Sequence, residues 1–256
     1  MYIKRMYKNC KNLITCIFLF TISPSIASAA CADAASPKVN WDGCNKAKQD
    51  FQKVDLTNAV LKNTNFDNSN LKKADLAGAD LGSASLNDAI IDNIKAKKAR
   101  FVGASMKNTS INKARLNNST FDRANMVKAR IIQSNLSNTS FYNAVLTEAD
   151  LSQSNFTDSN FEQAKMNEIN AEGANFHQAV LSNSSLEDAN LQNTNFSRAK
   201  LDNSELSGAD FSNANLEGAD LHNAEINNTI FTNAILDNAT WVNRKRCRPG
   251  SIGICK

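Results

Sequence analysis

The chain has 256 residues, 42% hydrophobic and 21% charged, with nine Gly, three Pro, six Cys, two His and a formal charge of +4. So few glycines leave no glycine-rich phosphate loop and no Gly-Asp calcium-binding nonapeptide. Two isolated histidines, His177 and His222, give no Ser/His/Asp or Cys/His constellation for catalysis.

In chain order, residues 1–29 come first. Lys4, Arg5, Lys8 and Lys11 form a positive region, Leu13 to Ile22 is apolar apart from Thr15 and Thr21, and Pro24 breaks the segment. Ala27-Ser28-Ala29 then precedes Ala30, which reads as a secretory signal peptide with an A-x-A site, cleaved after Ala29 or Ala30. The apolar run is too short for a spanning helix. Lipidation at Cys31 is a weaker reading, because Ser28 stands where lipoprotein signals carry Leu. The expectation is an exported protein, periplasmic or extracellular, of a bacterium. Removing the segment takes away four cations, so the 29 Lys and Arg fall to 25 against 25 Asp and Glu, and the basic pI says little about partners.

Four cysteines remain, Cys31 and Cys44 near one end and Cys247 and Cys255 near the other. An even number at the two ends of an exported chain predicts cap disulfides. Three connectivities are possible; Cys31–Cys44 and Cys247–Cys255 are favoured on the long rod implied by the family resemblance described below, whose ends cannot meet. A metal site at Cys247 and Cys255 is the runner-up, with no nearby His to complete it. Residues 30–50 read as an N-terminal cap ending in a lead-in from Asn45 to Asp50, and 242–256 as a C-terminal cap with turn chemistry around Pro249-Gly250. Trp41, Phe51 and Trp241 are candidates to cover the end coils, since an open end exposes core and unpaired strand edge.

Between them, from Phe51 to Trp241, a large apolar residue recurs at every fifth position through 39 units, interrupted only by Ala96 and Ala171. A second lattice two residues earlier carries 23 Ala, 7 Ser and 5 Thr in 38 positions, broken only by Val54, Ile94 and Ile169. A helix of 3.6 residues per turn or a strand of period 2 cannot produce this; a solenoid can.

Units such as Ala74-Asp75-Leu76-Ala77-Gly78, Ala149-Asp150-Leu151 and Ala219-Asp220-Leu221 resemble the A-(D/N)-L-x-x unit of the pentapeptide-repeat family. The resemblance implies an all-β fold, a right-handed quadrilateral β-helix of about ten coils. Four pentapeptides make one coil, the large and small lattice residues point inward, and residue n lies beneath n+20. Sorted that way, Phe101, Phe121, Phe141 and Phe161 form an internal aromatic ladder. At Ile94-Lys95-Ala96 and Ile169-Asn170-Ala171 the large and small positions are exchanged, which conserves core volume and reads as local repacking, with a kink or pocket as the minority alternative.

Charge is uneven. Between Lys95 and Arg130 the only acid is Asp122, whereas from Ile131 to Trp241 acids dominate and only Lys165, Arg198 and Lys200 are basic. Within this basic band, Lys95, Lys97, Lys98, Arg100 and Arg115 cluster on two adjacent faces and are the candidate residues for binding an anionic partner. The bland alternative is a solvated surface balanced by Asp75/Lys95, Asp80/Arg100, Lys128/Glu148 and Arg130/Asp150, pairs worth about 0–1 kcal/mol each. Few outward aromatics argue against a nucleic-acid platform.

Function at this stage reads as an exported, non-enzymatic structural or interaction protein. It is a rigid rod facing a protein or an anionic envelope component, with no cofactor and no metal. The alternative carried by the family resemblance is a nucleic-acid mimic of the gyrase-binding type. The export signal, the basic band and the polar C-terminus count against it.

Overall fold

A computed structural model describes residues 30–256. The signal-peptide reading therefore falls on residues outside the described part. The chain divides into two units at Asp33/Ala34. Of the first, Ala30–Asp33 is described and makes one helical turn, with Asp33 N–H donating to Ala30 O at 3.3 Å. The second, Ala34–Lys256, carries the repeats.

Here the predicted stacking of n on n+20 is present throughout. Parallel bridges run from Asn40↔Val60 to Asp220↔Thr240, one every five residues and therefore four per twenty-residue turn. Strands are reduced to single bridge residues with tight turns between them, so the molecule has a ladder on each of four faces but no long strand.

The backbone explains the repeat. Around Leu61, its own N–H donates to Asp80 O (2.8 Å) and Asn63 N–H to Gly82 O (3.0 Å) of the next coil, while Asp80 N–H returns to Ala59 O (2.9 Å). Within a turn, Ala74 N–H reaches Leu71 O at 2.9 Å. One N–H per unit is left, and the Asp or Asn just before the large residue takes it: Asp75 Oδ1 accepts from Ala77 N–H and Asp80 Oδ1 from Gly82 N–H, both at 3.1 Å. At several positions that hold Ser, a side chain from the preceding coil substitutes, as when Asp67 Oδ1 accepts from Asn87 N–H (2.8 Å) and Ser85 Oγ–H (2.6 Å). Nearly complete backbone pairing is what a buried coil demands, and the Asx side chain that mimics a turn accounts for the A-(D/N)-L preference.

The corner residue two places after each large one is left-handed, for example Asn138 at φ 56° and Asn193 at φ 58°. Asn tolerates this region better than most residues and Gly best of all. At Gly208 (φ 74°) there is a second reason: an added Cβ would fall 2.1 Å from Asp188 Oδ1.

Inside, the two lattices make the core. Phe101, Phe121, Phe141 and Phe161 stack at centroid distances of 4.6, 5.0 and 4.6 Å, nearly parallel. A second ladder on the neighbouring face, Phe156, Phe176 and Phe196, repeats at 5.0 and 4.8 Å. The ladders meet edge-on, Phe156 and Phe161 lying 5.3 Å apart at 71°. Ser and Thr at the small inward positions stay satisfied by donating to backbone carbonyls, as Thr109 Oγ1 does to Leu86 O at 2.8 Å. Ile94, Ala96, Ile169 and Ala171 are all buried, so both exchanged pairs sit in the core.

Pairing also reaches further upstream than the lattice does. It begins at Asn40, eleven residues before Phe51. Trp41 and Lys46 occupy the inward positions there, both buried, and the Lys46 ammonium lies 3.9 Å from the Trp41 ring centroid. A lysine at an inward site hides the repeat from a hydrophobicity pattern, while a cation–π contact supports it in place. Asn45 to Asp50 thus belong to a coil rather than to a lead-in. At the other end Trp241 is half-buried against Phe231 (5.3 Å). The last segment turns back antiparallel, pairing Ile252 with Ile235 and Arg246 with Thr240. Cys247 and Cys255 are bonded, with Cα atoms 4.9 Å apart. Cys31 and Cys44 are disulfide-bonded too.

Candidate anion-binding site

The basic residues picked from the sequence separate into three environments. Arg100 is offset: its guanidinium lies 3.6 Å from Asp80, which also holds Lys62 at 3.3 Å. Lys97 and Lys98 share a shallow depression of about 340 Å³ with Thr57, Asn58, Ala77 and Gly78. Lys95 and Arg115, stacked one above the other by a parallel bridge, line a separate furrow of about 380 Å³.

That furrow contains two further cations, Lys73 and Lys113, together with Asn93, and no carboxylate lines it. Lys73, Asn93 and Lys113 are the left-handed corner residues of three successive coils, at φ 62°, 59° and 55°. A corner residue projects between two faces, so this line of side chains stands beside the Lys95–Arg115 line of the next face. Reading faces separately hides this. Lys113 is not among the five residues singled out above, and Lys73 lies outside the basic band. The signal was available in the twenty-residue stacking of corner positions.

Around the corner a second furrow of about 370 Å³ shares Asn93 and Lys113 and adds Lys72, Arg130, Asn112, Ile132, Gln133 and one acid, Asp92. Asp92 Oδ1 is already engaged, accepting from Ser110 Oγ–H and Asn112 N–H at 2.8 Å each. Of the four ion pairs expected to balance the band, Asp75–Lys95 (3.9 Å) and Lys128–Glu148 (3.1 Å) form, as does Asp80–Arg100. Arg130 and Asp150 are bridged through the backbone without an ion pair among the described residues. Lys72, Lys73, Lys113, Arg115 and Arg130 likewise have no acidic partner within 4.0 Å among the described residues.

The furrows coincide with a local change in the wall. On this face three Ile, at 91, 111 and 131, follow one another in the inward column. Ala114 N–H and Ser134 N–H give up the usual turn bond and donate instead to Ser134 Oγ (2.9 Å) and Ser154 Oγ (3.0 Å) of the coil beyond. At Ile94 the turn bond is absent altogether. Ile94 is the first of the two large-for-small exchanges, and it lies between Asn93 and Lys95, both of which line the furrow. Core repacking and a surface furrow therefore occur at one place, where the sequence reading had set them as alternatives.

The Asp55 carboxyl is held below its ordinary value by hydrogen bonds from the Thr57 side chain and backbone N–H, and by the charge of Lys95. The two histidines sit elsewhere: His177 Nδ1 is 2.7 Å from Ser197 Oγ, and His222 Nε2 accepts from Arg244 Nε–H at 2.6 Å.

Comparison with known proteins decides the family. A pentapeptide repeat region model matches residues 94–171 and 154–241, and a model of eight pentapeptide repeats matches 50–88. The chain belongs to the pentapeptide-repeat family. Pentapeptide-repeat proteins fold as right-handed quadrilateral β-helices and are in general structural or interaction proteins rather than enzymes. Similar solved structures include HetL, a pentapeptide repeat protein involved in heterocyst differentiation regulation from the cyanobacterium Nostoc. It is 22% identical over 85% of this chain and 95% of that one, with a TM-score of 0.42. QnrB1, a plasmid-mediated fluoroquinolone resistance protein, is 14% identical over 71% of this chain and 86% of that one, with a TM-score of 0.41. A pentapeptide repeat protein of the Arabidopsis thaliana thylakoid lumen is 26% identical over 42% and 68%, with a TM-score of 0.22. No curated protein matches the chain.

Proposed function

We propose that this pentapeptide-repeat protein is an exported, non-enzymatic interaction rod that presents a basic band to an anionic component of the envelope or the extracellular space. In this reading about ten coils, spaced ~4.8 Å apart, give a rod on the order of 45 Å long. The stack begins at Asn40, and a short C-terminal cap at 242–256 carries the Cys247–Cys255 disulfide. Inward positions are consumed by packing, so chemistry is left to the outer faces. The observation that carries the reading is the gathering of unpaired cations between Lys72 and Arg130 on neighbouring lines of the solenoid. Exposed charges act collectively and are screened beyond about 10 Å at 0.1 M salt. The same positive surface argues against a mimic of duplex DNA.

Export is tested by the intact mass of the protein from native cells. A chain beginning at Ala30 or Cys31 outside the cytosol is expected; the full-length chain in the cytosolic fraction would remove both the exported and the disulfide-capped reading. No helix among the described residues is long and apolar enough to cross a membrane. The basic band is tested by replacing Lys95, Lys97, Lys98, Arg100 and Arg115 together with Gln. Retention on an anionic matrix should be lost at moderate salt while the melting temperature hardly moves. The matching control replaces Lys165, Arg198 and Lys200, which lie in the acidic half. Equal behaviour of the two sets would mean that the band is only a solvated surface.

A further inference from the structure

We propose that the two furrows flanking the Lys73–Asn93–Lys113 corner together form a seat for a linear acidic polysaccharide lying along the rod axis. This rests on the reading of the basic band as a binding surface and names its partner by chemistry.

Three features set the partner's class. The first is direction. Lys73, Asn93 and Lys113 follow one another up a single corner, and Lys95 and Arg115 follow one another on the line beside it. Neighbouring coils lie at ~4.8 Å, so the cations form a narrow strip parallel to the axis, suited to a chain with regularly spaced charges. A membrane surface would call instead for a broad flat face with apolar side chains to insert. The furrows are concave, and only the half-buried Ile132 among their lining residues is a large aliphatic.

The second is the mixture of groups. The cations are interleaved with amides, Asn93 and Gln133 on the same left-handed corner and Asn112 beside it. The Asn93 side chain has no hydrogen-bond partner among the described residues, and Gln133 uses only its Nε2, donating to Gln153 at 2.7 Å. Asn112 is engaged, donating to Ser110 Oγ at 2.8 Å and accepting from Ile132 N–H at 3.2 Å, but the Asn93 amide and the Gln133 oxygen beside ammonium and guanidinium groups suit a ligand that carries hydroxyls as well as carboxylates or sulfates, as an acidic sugar does. No aromatic lines either furrow, so stacking of bases has no platform.

The third is that the site is left unneutralised. Lys95 has Asp75 at 3.9 Å, but Lys73, Lys113 and Arg115 have no acid within 4.0 Å among the described residues. Asp92, the one carboxylate in the wall, has an oxygen committed to Ser110 and Asn112. Arg100 and Lys128, equally basic in sequence, are each paired with an acid. Lys97, Lys98, Lys107 and Arg123 also lack an acid within 4.0 Å among the described residues, so what marks the furrows is that several unpaired cations gather on adjoining lines.

The test measures binding of the mature chain to a polyuronate and a sulfated glycan. Duplex DNA and vesicles containing anionic phospholipid serve as comparisons at equal charge concentration, each across a salt series. The acidic glycans should bind at least about tenfold more tightly than DNA or vesicles, with affinity falling as salt rises. The triple variant Lys73→Gln, Lys113→Gln and Arg115→Gln should lose that preference by about tenfold or more. The pair Arg100→Gln and Lys128→Gln should change it less than about twofold, because those charges are already offset. Gln occurs natively at the left-handed corner, as Gln133 and Gln153, and Arg115 is an exposed bridge residue whose backbone, not side chain, pairs with its neighbours, so the triple variant should keep its fold and an unchanged melting curve checks this. If DNA or vesicles bind as tightly as the glycans, or if the Arg100/Lys128 pair matters as much as the triple, the polysaccharide seat is wrong while the basic band stands. If no anion binds the wild-type chain, the band itself fails.

Discussion

Leu136→Asp should unfold the region around its coil or lower the stability of the chain by several kcal/mol. Leu136 is fully buried, with its N–H donating to Asn155 O at 2.8 Å, so the new carboxylate would enter the core with no counter-charge. Protonation would lessen the penalty and leave a polar group without a partner. Two residues on, Asn138→Asp should be nearly silent, because that side chain is exposed at a left-handed corner that Asp also occupies at Asp88 and Asp158. Thermal or urea melts of the two variants give the comparison. In a solenoid each coil leans on its neighbours, so the loss spreads along the stack rather than remaining at one side chain. Equal melts for the two variants would invalidate the inward and outward assignment.

The second large effect is expected at the centre of the aromatic ladder. Phe141 stacks on Phe121 at 5.0 Å and on Phe161 at 4.6 Å, and meets Phe156 edge-on at 6.0 Å. Phe141→Ala should cost about 3–5 kcal/mol, since the stack is closed above and below and cannot readily collapse into the space. Phe141→Leu should cost much less, below roughly 1.5 kcal/mol, as a near-conservative change in a column where Leu81 and Leu181 already sit inward. Tyr142→Ala is the neighbouring reference, a partly exposed residue whose hydroxyl bonds Gln163 at 3.0 Å. A chemical denaturation series in which Phe141→Ala is no worse than Tyr142→Ala would show that the ladder contributes little to stability.

Much of this architecture was legible beforehand because a period-5 pattern constrains every residue at once. Large side chains at every fifth position, such as Leu61 and Phe66, with a small residue such as Ala59 or Thr64 two places before, can all be buried only if the chain coils on itself with the repeat. Asp75 and Asp80 add a local rule, each taking the N–H that the ladders leave over. These short-range consequences of composition and spacing give a solenoid and its inward positions; the four-unit coil implied by the family resemblance then sorts them into columns and gives the ladder of Phe101 to Phe161. The first coil escaped notice for an equally physical reason: Lys46 stands at an inward position and is held against Trp41, a contact that no hydrophobicity pattern registers.

The candidate site is a different matter. The sequence by itself determined which stretch of the repeat is basic, and the twenty-residue stacking implied by the family resemblance assigned it to coils. It also correctly put Lys95 above Asp75 and Arg100 above Asp80. Only the tertiary structure decided which cations face one another across a corner. Left-handed residues such as Lys73 and Lys113 project between faces, and the loosened turns at Ile94, Ala114 and Ser134 lie along the same corner. Charge and fold are additive properties of the repeat and can be read unit by unit. A furrow is a relation between side chains of different coils and faces, and it exists only once the corners have been built.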